Sequence, residues 1–243
     1  MSSEHLQHFE PSDQELAQLR LLHLADTALP IGSLSHSFGL ETLAANDILT
    51  VADLPNFLAG FVRESAMLDA VACRSAFRLI RSSAESFPVS SWLELNDHLS
   101  ALKPARESRA GSAALGRNFL QTVLALEEQP VLREAFESAR SSGTLIHHST
   151  AFGLVSAILE LEEAPATLAF IHQLAAHLVS CCQRLMPLGQ TAAGRILWNV
   201  KPVIAEVVNR SANLHLSDVS SFVPLLDWGA MEHPALSTRL FIS

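Results

Sequence analysis

Tyrosine is absent from this sequence, and lysine occurs only at Lys103 and Lys201. Charged residues make up 17% of the chain against roughly 25% in a typical soluble domain. The formal net charge is −9, and no basic stretch interrupts it. A nucleic-acid backbone or an anionic lipid surface needs a positive face on which to shed counterions, so neither is an expected partner. Cysteine is scarce as well: Cys73, Cys181 and Cys182 form an odd set with no C-x-x-C spacing. Adjacent cysteines rarely bridge each other, so buried, reduced thiols in a cytosolic protein are expected.

Sequence signals for strands and for nucleotide sites are missing too. No Asn-Gly or Asp-Gly hairpin turn occurs. No G-x-x-x-x-G-K-[ST] or G-x-G-x-x-G loop is present to cradle a phosphate, and no H-E-x-x-H places two imidazoles on one helix face. The start, Met1 to Gln14, is polar and acidic, unlike a signal peptide. The longest apolar runs are broken by His, Arg or Gly before the ~20 residues of a membrane span, which predicts a cytoplasmic chain with no membrane segment.

What remains is a chain of 243 residues that is 49% hydrophobic, rich in Ala and Leu. Those residues favour helix. The surplus of apolar residues leaves two accounts open, a well-filled helical core or a face covered by a partner.

Apolar positions recur at helical spacing from near Asp13 to Ala25, stopping at Leu29-Pro30-Ile31-Gly32. Phe38–Asn46 resumes the pattern. Asp53 is placed to cap a long helix with Pro55 in its first turn, reaching about Ser82. Ser90 caps the next, Pro104 opens one through Leu126, and Pro130 another through Phe136. Beyond the Gly143 break, helices are predicted over about His147–Leu161, Ala164–Leu185 and Thr191–Ala212. The tail after Pro224 has no convincing period. With no repeat or linker, the expected fold is all-α: a single-domain compact helical bundle of roughly eight to ten helices. Residues 1–12 are expected to be a disordered tail, 13–223 the helical domain, and 224–243 a C-terminal tail.

Few residues invite chemistry. Ser33, Ser35 and Ser37 flank His36, but a nucleophilic serine needs a base oriented by a third group, usually at a G-x-S-x-G elbow. That frame is missing, and a helix-capping role for a serine, with Glu41 in the first turn, competes with catalysis. His147 and His148 are successive and diverge by about 100° on a helix; His172 and His177 are five apart. Neither spacing shares a metal ion easily. A Ser/His hydrolase and a nickel-binding carrier therefore stay as alternatives only. Gly111 and Gly116 on the Pro104–Leu126 helix, beside Arg106, Glu107, Arg109 and Arg117, imply close approach of another backbone, since glycine costs about 1 kcal/mol inside a helix. The tail carries Trp228, Met231, Arg239, Leu240 and Phe241, residue types that anchor interfaces. It docks either on its own domain or on a partner.

Four blocks in order carry a family resemblance: Leu24 to Glu41 (LADTALPIGSLSHSFGLE), Arg106-Glu107 with Ser112 and Gly116-Arg117, Pro187-Leu188-Gly189-Gln190-Thr191-Ala192, and Arg239-Leu240-Phe241 with Ser243. Together they resemble the urease accessory protein UreF family. The resemblance implies an all-α homodimer that is not an enzyme. It implies a chaperone-like scaffold that binds UreD (also called UreH), recruits the GTPase UreG and serves nickel insertion into apo-urease, with no cofactor of its own and nickel handled by the assembled complex. It further implies a C-terminal segment ordered by its partner, with partner contacts at Pro30, Gly32, Ser35, His36, Glu41, Arg106, Glu107, Arg117, His233, Arg239, Leu240 and Phe241.

Overall fold

A computed structural model describes residues 11–83 and 86–243. Ten α-helices account for most of it, and among the described residues there is no strand. They are α1 (Asp13–Leu24), α2 (Leu40–Ala45), α3 (Leu54–Arg81), α4 (Val89–Ala101), α5 (Arg106–Leu126), α6 (Pro130–Ser142), α7 (His148–Ile158), α8 (Glu163–Leu185), α9 (Gln190–Arg210) and α10 (Pro224–Glu232).

Helix α3 is the axis of the bundle, packing against α4, α7, α8 and α9. Its middle, Ala66 to Arg74, is buried on every side. A helix apolar nearly all round has no face to give to water and becomes central. Helix α7 is its closest neighbour and is buried along almost its whole length. The small side chains of the α3 middle allow that, and so does Gly153: a Cβ there would collide with the carbonyl oxygen of Cys73. Around the crossing, Phe119, Phe152 and Phe170 cluster about the ring of His148 with centroids 5.1–6.5 Å apart.

Polar residues tie the ends. Arg74 and Arg78 of α3 both reach Glu163 at the start of α8, and also the carbonyls of Val208 in the last turn of α9 and Ala212 just beyond it. Burial raises the Glu163 carboxyl, but Arg78 and Arg74 outweigh it and hold it below the usual carboxylate range. The three cysteines are free and buried, and burial pushes their thiols up to about 12. Helix α8 is long and apolar enough to cross a membrane by composition, contrary to the sequence reading, yet 61% of that stretch is buried inside the bundle.

Several local expectations change. Residues 1–10 of the expected disordered tail lie outside the described residues. Ser12 is the N-cap of α1 in a reciprocal capping box with Glu15, because its hydroxyl and the Glu15 carboxyl each satisfy the other's backbone N–H. Asp53 does stand before α3, but its carboxyl turns back to Thr50 N and Oγ1 at 3.1 and 2.6 Å. Pro88, not Ser90, precedes α4, and α5 opens at Arg106 rather than Pro104. The tail contains a helix after all. In α10, Leu226, Gly229 and Ala230 form the inward face, and Gly229, which reads as a breaker in sequence, is where Gly39 crosses: a Cβ on it would lie 2.6 Å from the Gly39 oxygen.

Candidate functional site

The segment after α10 returns to the Ser33–Gly39 loop. That loop is shaped by two left-handed glycines, Gly32 (φ 84°) and Gly39 (φ 93°), conformations that cost other residues their Cβ clearance. Between them Ser33–Ser35 makes one 3₁₀ turn, and Arg184 of α8 donates to the Leu34 carbonyl at 2.5 Å. The final residues then pair with the loop by backbone. Ile242 N donates to Ser35 O at 2.7 Å, Phe38 N to Ser243 O at 3.3 Å, and Ser37 N to the same oxygen.

Side chains lock this pairing. The Glu41 carboxyl accepts from Leu240 N at 2.5 Å and Phe241 N at 3.1 Å, and lies 2.9 Å from Nε2 of His233. On the other side of that imidazole, Nδ1 sits 2.8 Å from Glu107 of α5, an ion-pair distance without hydrogen-bond alignment. His233 is wholly buried between the two carboxyls. The Phe241 ring, also buried, lies under the Arg184 guanidinium at 4.2 Å, a cation–π contact. His36 Nδ1 meets Ser243 Oγ at 2.7 Å, and His177 Nε2 donates to the His36 carbonyl at 2.8 Å. Desolvation lowers the His36 imidazole from its ordinary range.

Of the expected contact residues, Ser35, His36, Glu41, Glu107, His233, Leu240 and Phe241 thus converge on one place. Their bonds there are intrachain: Glu41, His36, His233 and Phe241 are buried, and Glu41 stands in the first turn of α2 as expected while its carboxyl also grips the tail. Pro30, Gly32, Arg106, Arg117 and Arg239 point to solvent. Sequence reasoning passed over Arg184 and His177 as tail holders, because nothing in their helical spacing marks a partner some 60 or 140 residues away. The close backbone approach expected at the two α5 glycines occurs at Gly116, while Gly111 faces side chains. A Cβ there would sit 3.1 Å from His36, Phe38 and Ser243, and one at Gly116 would collide with the Ile146 and His147 carbonyls.

What the pinned segment leaves outside is apolar. Trp228 is 40% exposed, Met231 55%, Leu240 58% and Ile242 69%. Leu225, Trp228 and Met231 follow each other at three-residue spacing along the outer face of α10.

The histidines of the carrier alternative are dispersed. His147 bonds Ser100 and Ser112 at 2.8 and 3.1 Å, and burial takes its pKa down to about 3. His148 lies among phenylalanines, and His172 is half-buried near Lys201. Among the described residues no three His, Cys, Asp or Glu side chains gather as a metal-holding group. Ser–His contacts exist, but the other partner of His147 is a second hydroxyl rather than an orienting acid.

Comparison with known proteins places this architecture. The UreF family model matches residues 48–201. The urease accessory protein UreF of Bradyrhizobium sp. (strain ORS 278) is 32% identical over 94% of this chain and 93% of its own length. UreF of Nostoc sp. (strain PCC 7120 / SAG 25.82 / UTEX 2576) is 31% identical over 93% and 95%, and UreF of Bacillus sp. (strain TB-90) 29% identical over 93% and 98%. These relatives are named as accessory proteins, not as enzymes. With a match over more than half its length and such relatives along nearly all of it, the chain belongs to the UreF family of urease accessory proteins.

Proposed function

We propose that this protein is a cytoplasmic, non-catalytic scaffold of urease maturation. It bridges UreD (UreH) bound to apo-urease and the GTPase UreG, as a homodimer, so that nickel is transferred inside a closed assembly. It contributes binding free energy and geometry, and the reaction chemistry belongs to its partners. The observation that supports this best is the exposed apolar face of α10 and the tail, held on a backbone pinned from within by Glu41. Isolated exposed apolar residues are ordinary, but a rigid row ending in Arg239, Leu240 and Ile242 has the composition of an interface core. Pre-ordering that row in the free chain lowers the entropic cost of docking. In this account the partner consolidates a segment already seated, and Leu240, Ile242 and Trp228 carry contact while Glu41 and His233 hold them in place.

The test is co-purification with UreD and UreG, scored for stoichiometry and GTP turnover. Wild-type protein should assemble, and a Leu240→Asp, Ile242→Asp double variant should fold but lose UreD. Unchanged assembly by that variant would refute the docking role of this face. The nickel-carrier and hydrolase alternatives predict tight Ni²⁺ binding by the purified chain, or turnover lost on Ser35→Ala and His36→Ala.

A further inference from the structure

Away from the tail, a cavity of about 90 Å³ lies among α3, α5, α7 and α8, bounded also by the Ser221–Asp227 segment. Its walls are mostly apolar, with Phe38, Phe170 and Leu178 among them. Into it project His148 and His177, each 5% exposed. Neither ring nitrogen of His148 has a hydrogen-bond partner among the described residues, nor has Nδ1 of His177. Orphaned buried donors and acceptors are costly, so three of them beside one cavity mark a place where a hydrogen-bonding occupant would be stabilised.

The occupant's chemistry follows from tautomers and charge. Burial holds both imidazoles at about 4, so they are neutral near pH 7. His177 spends its N–H on the His36 carbonyl, which leaves Nδ1 as a lone pair awaiting a donor. His148 offers one N–H and one lone pair. Charge at the wall is already balanced at Asp69 and Lys103, whose Nζ lies 3.2 Å from both carboxylate oxygens, with Ser149 also donating to Asp69. Asp227, the other charged group there, keeps part of its surface in solvent. Beside the imidazoles an ion would lose its hydration against aromatic walls. Water satisfies the nitrogens but makes little contact with Phe38, Phe170 and Leu178, whereas a molecule with both a hydrogen-bonding and an apolar end matches both parts of the lining. A cavity of about 150 Å³ holds benzene, so about 90 Å³ has room for roughly four heavy atoms.

We propose that this cavity binds a small uncharged molecule of the carboxamide class, its N–H donated to Nδ1 of His177, its carbonyl facing the His148 ring and its carbon skeleton against Phe38 and Phe170. The site is separate from the tail face and does not depend on the partner assignment.

Acetamide is the probe, added to the full chain while the ¹⁵N resonances of the histidine rings are followed. Saturable shifts of His177 Nδ1 and the His148 ring are expected, with a dissociation constant on the order of millimolar, as befits four heavy atoms. Acetate and acetamidinium, of the same size but charged, should bind at least tenfold more weakly. His148→Leu should weaken acetamide binding at least tenfold, and His172→Ala should leave it unchanged; the wild-type ring shifts decide the matter if His148→Leu fails to fold. Non-saturating shifts, a bound-water cluster only, equal binding of either ion, or tight binding of Ni²⁺ alone at these two rings would each overturn the proposal.

Discussion

Glu41 and His233 stand 192 positions apart in the chain, yet Nε2 of the histidine lies 2.9 Å from the Glu41 carboxyl, with both side chains buried. The same carboxyl accepts the N–H groups of Leu240 and Phe241. One side chain of α2 therefore holds the C-terminal segment at three points, His233, Leu240 and Phe241. Glu41→Ala removes an acceptor from two buried donors and one part-buried one and should cost about 3 kcal/mol. Hydrogen exchange should rise across residues 233–243 well before α3 and α7 lose protection. Glu41→Gln, which keeps one carbonyl oxygen, should fall between. Equal exchange in all three proteins would show that the tail is held by something else.

The outward residues of the same segment should behave oppositely. Leu240→Asp and Ile242→Asp alter side chains 58% and 69% exposed, so urea midpoints should move by no more than about 0.5 kcal/mol in stability. Any loss of UreD binding is then a surface effect, separable from unfolding.

Acid should destabilise the fold through its histidines. His147, His148 and His177 sit at about 3, 4 and 4 in the native state, below the ordinary 6.5, because burial disfavours the charged ring. The unfolded chain therefore binds more protons than the folded one between these values. Stability should be flat above about pH 6.5 and fall as pH drops toward 4, each ring contributing up to about 1.4 kcal/mol per pH unit. Urea unfolding from pH 7.5 to 5 measures this slope, and His148→Leu should flatten it by roughly a third. A slope unchanged by that substitution would mean that the ring charges readily in the folded protein.

Two glycines should respond with opposite signs. Gly153→Ala drives a methyl into the Cys73 carbonyl at the α3–α7 crossing and should cost about 3 kcal/mol. Gly194→Ala on exposed α9 meets nothing within 4 Å and should stabilise by up to about 1 kcal/mol. Thermal melts of the two variants should bracket the wild type.

Much of this was legible in the residues. Helical spacing and Pro/Gly punctuation locate nine of the ten helices within a few positions, since α-helix is a local structure whose signals lie within a turn of the residues they govern. The missed α10 is short and carries Gly229, a breaker by propensity that serves here as the flat spot where Gly39 crosses. Some residues around the tail were also recognisable one by one, Glu41 as an acid in a first turn and Arg239, Leu240 and Phe241 as interface types, while His233 was named only through the family resemblance.

By itself, then, the sequence determined an all-helical chain with no phosphate loop, no basic face and an excess of apolar side chains, because composition and short-range periodicity are local quantities. Only the tertiary structure decided that Glu41 turns inward to hold residues 240 and 241, that Arg184 covers Phe241, and that His148 and His177 share one cavity. Those pairings join positions up to 200 residues apart. They arise from how whole helices pack, and no window along the chain contains both partners.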